Sequence, residues 1–273
     1  MSLKGRKVGF LGTGNMGQAI IKSLISTGTV EADHIYGANR TPKKLNRLVE
    51  MTGINAVSNN EELFDECDII VIGVKPQDFK ATVENLQSFV MDHHIIISLA
   101  AGIRIDDIKR LLPQGKIVRA MPNTPIQIQR AVVGISMDRE AQDVASTVEE
   151  LFSSLGYVVP VEEGEMFEAL MVACGSGTGF VYELMLYFQE WIQEHGFEND
   201  VARKMVVETF LGAAELAKFD SEMDIETLQQ KVTSKKGVTA AGLESMRENE
   251  LERGLRISFG KAILRDRELG KLL

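Results

Sequence analysis

The chain contains few cysteines, which excludes a disulfide framework. Its 273 residues include two cysteines, Cys67 and Cys174, far apart in the sequence. Small secreted domains stapled by disulfides need several closely spaced cysteines, so this pattern indicates the reducing cytoplasm. The histidines include the pair His93 and His94, but no set spaced with acids or cysteines. We therefore expect no metal site.

Positive charge is also scarce, because 30 Lys and Arg residues face 39 Asp and Glu residues, a net charge of −9. No basic run with interleaved aromatic residues is present, so we expect no nucleic-acid partner. No apolar run approaches the roughly 20 residues of a membrane helix, and the first strand begins too early to leave room for a signal peptide. These absences predict a cytoplasmic globular protein with no membrane partner.

A glycine-rich turn near the N-terminus predicts a dinucleotide-binding site. An apolar run over residues 8–11 leads into Gly12, Thr13, Gly14, Asn15, Met16 and Gly17, and apolar residues then recur at helical spacing. The first glycine permits a tight turn, the second lets a pyrophosphate approach the backbone, and the third lets helix and strand pack closely. The helix N-terminus presents free N–H groups to the anion. The alternative is a purely structural strand–helix turn.

The end of the second predicted strand, residues 35–38, bears on the choice between NADPH and NADH. A carboxylate there would bind the ribose 2′-hydroxyl, whereas an arginine accommodates a 2′-phosphate. The chain has Asn39, Arg40 and Thr41 and no carboxylate. We therefore expect NADPH, with NADH as a weaker possibility. The same residues can also serve as a helix start, with Thr41 as N-cap and Pro42 in the first helical position.

Further apolar segments at 56–57, 68–74, 94–99, 116–119, 132–136 and 157–161 predict a sheet of eight strands, and helices alternate with most of them. Ligands of open α/β sheets gather beyond the carboxyl ends of the strands. Three strand ends are therefore candidate cofactor contacts: Val74, Lys75 and Pro76; Ala100, Ala101 and Gly102; and Met121, Pro122 and Asn123. In the segment that follows the third strand, Asn60 is the expected helix cap.

The alternation of strand and helix stops near Glu162, and the remaining segments have a helical pattern. We therefore predict a dinucleotide-binding domain over residues 1–161 and an all-helical domain over residues 162–273. The fold class is α/β, with a mainly parallel sheet followed by an all-α domain.

The helical half contains three glycines, Gly175, Gly177 and Gly179, in a run that otherwise has the pattern of a buried helix. Each costs roughly 1 kcal/mol relative to alanine, so a close backbone approach to a helix or ligand is expected to offset it. The helix that follows, residues 180–191, is apolar around most of its circumference. Such a helix is either central to a core or part of a subunit interface, and we expect the interface.

A polar, basic loop over residues 233–237 precedes a helix predicted to start near Thr239. Free N–H groups, hydroxyls and the pair Lys235 and Lys236 together form an anion-binding arrangement. An ordinary helix–helix loop capped by a threonine is the alternative.

Taken together, these motifs resemble the pyrroline-5-carboxylate reductases over essentially the whole chain. The motifs that carry the resemblance are the Gly12 turn, residues 39–41, 74–76 and 121–125, the Gly175 helix and the loop 233–239. The resemblance implies a Rossmann-like domain followed by an all-helical dimerisation domain, with the active site formed in a homodimer or in a larger oligomer built from dimers. It also implies reduction of 1-pyrroline-5-carboxylate to proline, the last step of proline synthesis, with NADPH usually preferred.

The resemblance also implies individual roles. Thr239 matches the threonine whose hydroxyl hydrogen-bonds the ring nitrogen of the substrate. Ser234, Gly237, Val238 and Thr239 match the loop that holds the substrate carboxylate, and Ser176 belongs to the substrate site. Asn60 matches the residue that contacts the adenosine ribose. The strand-end residues Lys75, Pro76, Met121 and Asn123 match the loops beside the nicotinamide.

The chain departs from the family pattern at Thr178 and Gly179, where the family usually has Pro-Ala, and at Lys236, where it usually has glycine. Two alternatives therefore stay open: an imine reductase for another cyclic imine, and a non-catalytic paralogue that binds NADP(H). The hydroxyacid dehydrogenases of similar shape carry a catalytic lysine shortly after the glycines of the long helix. This chain has no lysine between Gly175 and Arg203, which disfavours that class.

Overall fold

The computed structural model describes residues 3–271, and a single sheet forms the centre of its N-terminal part. The eight strands are β1 (Val8–Leu11), β2 (Ile35–Ala38), β3 (Asn55–Ala56), β4 (Ile69–Ile72), β5 (Ile95–Ser98), β6 (Lys116–Met121), β7 (Ala131–Met137) and β8 (Gly156–Pro160). The helices of this part are α1 (Asn15–Ser26), α2 (Pro42–Thr52), α3 (Asn60–Glu66), α4 (Pro76–Val83), α5 (Ile105–Leu111), α6 (Ala145–Ser153) and α7 (Glu165–Leu170). All eight predicted strands are present.

The spatial order of the strands is β3-β2-β1-β4-β5-β6-β7-β8. The chain therefore adds strands β2 and β3 on one side of β1 and strands β4 to β8 on the other. Pairings from β3 to β6 are parallel, with Leu11 opposite both Ala38 and Ile72. Every residue of β1, β4 and β5 is buried, as expected for strands covered by helices on both faces. The switch point beside β1 is where doubly wound sheets bind their ligands.

Strand β7 is the exception, because it runs antiparallel to β6, with Met121 opposite Gly134. The connection over residues 122–130 is shorter than the dozen or more residues that a parallel crossover needs. It contains a 3₁₀ segment, Thr124–Ile128, that is held against α1 by the Ser23 hydroxyl, which donates to the Ile126 carbonyl at 2.8 Å. Strand β8 then pairs parallel with β7.

The later residues form α8 (Gly177–Glu194), α9 (Asn199–Phe219), α10 (Ile225–Lys231), α11 (Val238–Glu248) and α12 (Leu251–Gly270). The chain divides into two compact units: residues up to Thr178 together with those from Ala262 onward, and Gly179–Lys261. The last turns of α12 thus pack with the sheet unit. The expected domain boundary after Val161 stays a prediction, since the packing division falls inside the helical segment.

In the first unit the end of α12 lies directly against the loop after β5. Gly102 has a φ of +76°, and a Cβ atom built on it would overlap the Asp266 carbonyl and the Gly270 amide nitrogen. A Cβ atom on Gly270 would in turn overlap the Gly102 carbonyl. Two facing glycines therefore permit this close backbone contact.

The second unit exposes a large apolar surface. Ala202 and Val206 are the only hydrophobic residues of 179–261 that are buried. Its exposed large side chains include Tyr182, Leu186, Tyr187, Trp191, Phe219, Ile225 and Val238. Surfaces of this kind mark protein–protein or membrane contacts.

One helix of the described chain is long and apolar enough to cross a membrane by length and composition alone. Residues Glu165–Glu194 run as one helical stretch of 30 residues with a mean hydropathy of 1.4 in its most apolar window, of which 17% is buried. The glycines at 175, 177 and 179 do not end this helical stretch. Length and apolarity alone are weak evidence for a membrane span, so the expectation of no membrane partner stays a prediction.

Candidate functional site

The turn after β1 has the geometry that a pyrophosphate needs. Gly12 has a φ of +95°, and a Cβ atom there would lie 2.9 Å from the Val74 side chain. A Cβ atom on Gly17 would lie 2.9 Å from the Gly12 carbonyl oxygen, whereas a Cβ atom on Gly14 would meet nothing within 4 Å. The first and third glycines are thus required by packing, and the second leaves backbone open to a ligand.

The N-terminus of α1 carries no protein cap. Gly14 is the N-cap residue without a side-chain bond, and the first turn contains no acidic residue. Its free N–H groups and the positive end of the helix dipole therefore suit an anion. Thr13 beside it is fully buried, and its hydroxyl has no hydrogen-bond partner among residues 3–271. The site fits the pyrophosphate of a dinucleotide.

Gly73, which follows β4, also belongs to the turn, although it was not among the residues predicted from the sequence. Its N–H donates to the Leu11 carbonyl at 2.9 Å, and a Cβ atom on it would lie 2.8 Å from the Gly12 oxygen. The signal in the sequence was a glycine directly before Val74 at the end of a buried strand. Lys75 is the N-cap of α4 and Pro76 occupies its first turn, where a proline is tolerated.

The end of β2 places Asn39, Arg40 and Thr41 at the start of α2. Thr41 is the N-cap by position, but its side chain makes no capping bond; the Asn39 amide donates to the Thr41 carbonyl at 3.2 Å. Arg40 is largely exposed and pairs with Asp78 of α4 at 3.6 Å. Such an exposed pair contributes at most about 1 kcal/mol, so Arg40 can turn to another anion at little cost.

The predicted cap at Asn60 is wrong. The N-cap of α3 is Asn59, whose side chain accepts from the Glu62 N–H at 2.8 Å. Glu62 completes the arrangement by accepting from the Ser58 N–H at 2.7 Å. Two adjacent asparagines satisfy the sequence pattern equally, and the helix starts one residue earlier than expected. Asn60 is thereby left without a capping role, and its predicted contact with the adenosine ribose stays a prediction.

The strand ends beyond β5 and β6 are held in different ways. The Ala100 N–H donates to the Ser98 hydroxyl at 3.3 Å, and Ala101 is half-buried. Gly102 packs against α12, so a structural reason accounts for the glycine there. Met121 and Pro122 are buried at the end of β6.

The Asn123 side chain links the segment around Cys174 to the start of β7 through two hydrogen bonds. Its amide nitrogen donates to the Cys174 carbonyl at 3.1 Å, and its amide oxygen accepts from the Val132 N–H at 3.0 Å. Cys174 lies in a π-helical turn, Met171–Gly175, closed by the Ser176 N–H bonding to the Met171 carbonyl at 2.9 Å. π-Helical turns disturb the regular bonding and occur frequently at functional sites.

Gly175, Gly177 and Gly179 differ in how closely other atoms approach them. A Cβ atom on Gly175 would lie 3.3 Å from the Met121 side chain, so the turn sits tightly on the end of β6. Cβ atoms on Gly177 and Gly179 would meet nothing within 4 Å. Ser176, between them, is half-buried.

The loop before α11 in the second unit leaves the N-terminus of that helix without a side-chain cap. Gly237 is the N-cap of α11 and makes no side-chain capping bond, so the alternative in which Thr239 caps the helix is wrong. The Gly237 N–H closes a turn on the Ser234 carbonyl at 3.0 Å, and the Ser234 hydroxyl occupies the space that a Cβ atom on Gly237 would need. Val238 and Thr239 are exposed at the first positions of the helix.

Lys236 adopts the left-handed conformation, with a φ of +60°. The family pattern has glycine here, and a non-glycine residue in this region costs roughly 1–2 kcal/mol. The loop therefore keeps the backbone shape expected for glycine and adds a positive charge beside the helix N-terminus.

No group of three or more His, Cys, Asp or Glu side chains within residues 3–271 could hold a metal ion.

Cys174 is partly buried, and this burial raises the pKa of its thiol, which makes it a poor nucleophile.

Comparison with known proteins decides the family. A model described as "NADP oxidoreductase coenzyme F420-dependent" matches residues 7–102, and one described as "Pyrroline-5-carboxylate reductase dimerisation" matches residues 164–269. The pyrroline-5-carboxylate reductase of Methanosarcina acetivorans is 30% identical over 98% of this chain and 100% of its own length. The chain belongs to the pyrroline-5-carboxylate reductase family.

Two solved structures agree with this assignment. The pyrroline-5-carboxylate reductase of Coxiella burnetii is 28% identical, with a TM-score of 0.87 over 97% of this chain and 98% of that one. A Plasmodium falciparum pyrroline carboxylate reductase with NADP bound has a TM-score of 0.88 at 24% identity, over 98% and 99% of the two chains; this likeness shows the fold. The similarity spans both the turn and the loop described above.

Proposed function

We propose that this chain reduces 1-pyrroline-5-carboxylate to L-proline with NADPH. The observation that carries the proposal is the membership of the family over nearly the full length, including both the nucleotide turn and the loop 234–239. Neither departure removes a group that the chemistry needs. Lys236 preserves the loop backbone, and Thr178 continues the helical run into α8.

The nucleotide would be held by the first unit. The free N–H groups at the start of α1 and the open face of Gly14 suit its pyrophosphate, and Arg40 with Thr41 suits a 2′-phosphate. As the resemblance implies, we assign the adenosine ribose to Asn60 and the nicotinamide side to Lys75, Pro76, Met121 and Asn123. Val74, Ala100 and Ala101 are proposed cofactor contacts because they follow neighbouring strand ends. NADPH, when bound, supplies the hydride.

The substrate would be held by the loop before α11. The substrate carboxylate would accept from the uncapped N–H groups of Val238 and Thr239, and Lys236 adds positive charge nearby. The Thr239 hydroxyl would hydrogen-bond the ring nitrogen. A cyclic imine protonated on nitrogen is already an electrophile, so the protein needs no strong acid. Holding the reactants in place can supply about 7–11 kcal/mol of the barrier reduction.

The roles of two hydroxyls can be separated by kinetics. Thr239→Val keeps the β-branched shape, and because Gly237 caps the helix the fold should not depend on this hydroxyl. We expect kcat and kcat/KM to fall together by about 10–100-fold, the equivalent of 1.4–2.7 kcal/mol. Ser234→Ala should act mainly through the KM of the substrate. A folded Thr239→Val protein with the turnover of the wild type would remove the assigned role.

We also propose that the chain works as a homodimer, or as a larger oligomer built from dimers. The exposed apolar side chains of residues 179–261 and the dimerisation model over 164–269 support this assembly. An obligate interface buries about 2,000 Å² or more. Light scattering that found a stable monomer at micromolar concentration would contradict it. The scarcity of cysteine supports a cytoplasmic location, which cell fractionation tests.

The alternative substrate is a different cyclic imine, which the similarity to pyrroline-5-carboxylate reductases over nearly the full chain does not favour. The carboxylate anchor separates the two proposals. If the loop binds the carboxylate, 1-pyrroline without that group should be reduced at least tenfold less efficiently in kcat/KM than 1-pyrroline-5-carboxylate. Equal efficiencies would favour the alternative.

A further inference from the structure

A polar cavity of about 290 Å³ lies in the first unit, where the loop after β5 meets the end of α12. Liquid water occupies about 30 Å³ per molecule, so the cavity could hold a small organic molecule. Its lining includes Arg104, Arg119, Glu168, Asp266, Arg267 and Lys271. None of these residues belongs to the nucleotide turn or to the loop 234–239.

Three residues of this lining, Arg104, Glu168 and Arg267, form a network of ion pairs. The Arg267 guanidinium donates to both carboxylate oxygens of Glu168, at 2.9 and 2.6 Å, and Arg104 lies 3.7 Å from the same carboxylate. Arg267 and then Arg104 hold the pKa of the Glu168 carboxyl below its usual range. The negative charge of Glu168 is therefore balanced by Arg267 and Arg104. Its carboxylate holds these side chains in the lining of the cavity and is not available to a ligand.

Two buried side chains of the lining keep unused hydrogen-bonding capacity. Arg119 is 4% exposed; it bonds Glu163 at 2.9 Å and stacks on the Phe167 ring, but its Nε–H has no partner within the described chain. Asp266 is 8% exposed and burial raises the pKa of its carboxyl, while its Oδ1 has no partner there either. Each such buried group costs about 1–3 kcal/mol when left unsatisfied.

The two unsatisfied groups have opposite requirements, since Arg119 has a free donor and Asp266 a free acceptor. A simple anion would satisfy the first and be repelled by the second, and a simple cation would do the reverse. The Lys271 ammonium adds a further donor for a carboxylate at the rim of the cavity. A molecule that carries a carboxylate and an ammonium close together satisfies both.

We propose that this cavity binds a small zwitterionic amino acid, with the ligand carboxylate toward Arg119 and Lys271 and its ammonium toward Asp266. The ligand class includes glycine and L-proline. The site lies beside Gly102 and the end of α12. The proposal does not depend on the reduction proposed above.

The experiment must report on the cavity and not on a substrate loop that could also bind proline. We would label the full-length protein with ¹⁵N-arginine and follow the Nε–H signal of Arg119. The Arg119 Cζ lies 4.1 Å from the Phe167 ring centroid, so the ring should shift this signal and Phe167→Leu would identify it. Glycine, L-proline, acetate and ethylammonium would each be titrated into the protein.

We expect glycine or L-proline to shift this signal with saturation, and acetate and ethylammonium to leave it in place. Asp266→Asn keeps the shape of the side chain and should weaken the binding at least tenfold, since a hydrogen bond to a charged group is lost. Glu268→Gln removes a charge from the same helix in an exposed pair with Arg265 and should leave the binding unchanged. A signal that neither amino acid moves would overturn the proposal, as would an equal response to acetate.

Discussion

The pair Gly14 and Gly17 gives the sharpest test of the nucleotide turn, because the structure assigns them different reasons for being glycine. Gly14 has a φ of −72°, which alanine adopts freely, and an added Cβ atom would meet nothing within 4 Å. An added Cβ atom on Gly17 would lie 2.9 Å from the Gly12 backbone oxygen. Gly14→Ala should therefore impair binding, and Gly17→Ala should impair folding.

The magnitudes follow from the same geometry. At an N-cap, alanine is less favourable than glycine by up to about 1 kcal/mol, and its smaller unfolded-state entropy returns about 0.4–1 kcal/mol. The net effect of Gly14→Ala on the free energy of unfolding should be below about 1 kcal/mol. Gly17→Ala gains about 0.5–1 kcal/mol of helix propensity but forces an overlap that costs about 1–3 kcal/mol. We expect it to destabilise the protein by about 1–2 kcal/mol.

The binding effect of Gly14→Ala should be larger than its effect on stability. A methyl group facing the pyrophosphate removes at least one N–H bond to a charged group, worth about 1.5–3 kcal/mol, so Kd should rise tenfold to a hundredfold. NADPH and NADH should be affected equally, since both carry the pyrophosphate. Nicotinamide fluorescence titration and urea unfolding measure the two quantities on the same samples. A Gly14→Ala protein with the NADPH affinity of the wild type would refute the assignment of the turn.

Three further predictions concern single side chains. Arg40→Ala should raise the KM of NADPH tenfold or more while leaving that of NADH nearly unchanged, because only NADPH carries the 2′-phosphate; steady-state kinetics with both cofactors would show equal changes if Arg40 does not read the phosphate. Lys236→Gly should raise the free energy of unfolding by about 0.5–1 kcal/mol by relieving the left-handed conformation, and should raise the substrate KM by removing a positive charge; a lower stability in urea would contradict this. Burial, and next the neighbouring His93, lower the pKa of His94, so the unfolded state binds a proton that the native state refuses, and stability should fall as the pH drops below about 6.5. Urea unfolding at pH 7 and pH 5 should show a smaller loss for His94→Asn than for the wild type or the exposed control His93→Asn.

The strands and the nucleotide turn were predictable because local pattern decides them. An apolar run before three spaced glycines leaves few alternatives, and the family resemblance adds the identity of the loop around Ser234. Between Asn59 and Asn60 the pattern could not choose, since both are good caps and the outcome depends on which one reaches the Glu62 N–H.

The parts that were not predictable depend on contacts between distant residues. The π-helical turn at Met171–Gly175 is supported by Asn123, 51 positions before Cys174, and no periodicity encodes that bond. The return of α12 to Gly102 is similar, because each glycine alone has a neutral sequence context. The cavity beside them could not be predicted from the sequence either, because Arg119 and Asp266 are far apart in the chain and are brought together only by the fold.

Reduction of 1-pyrroline-5-carboxylate by this chain can be tested with one stoichiometric measurement. The purified protein would be supplied with NADPH and 1-pyrroline-5-carboxylate, and NADPH oxidation would be followed together with the appearance of L-proline. We expect equal amounts of NADPH consumed and L-proline formed, with turnover lowered at subsaturating NADPH by Gly14→Ala. A folded protein that binds NADPH but forms no L-proline would contradict it.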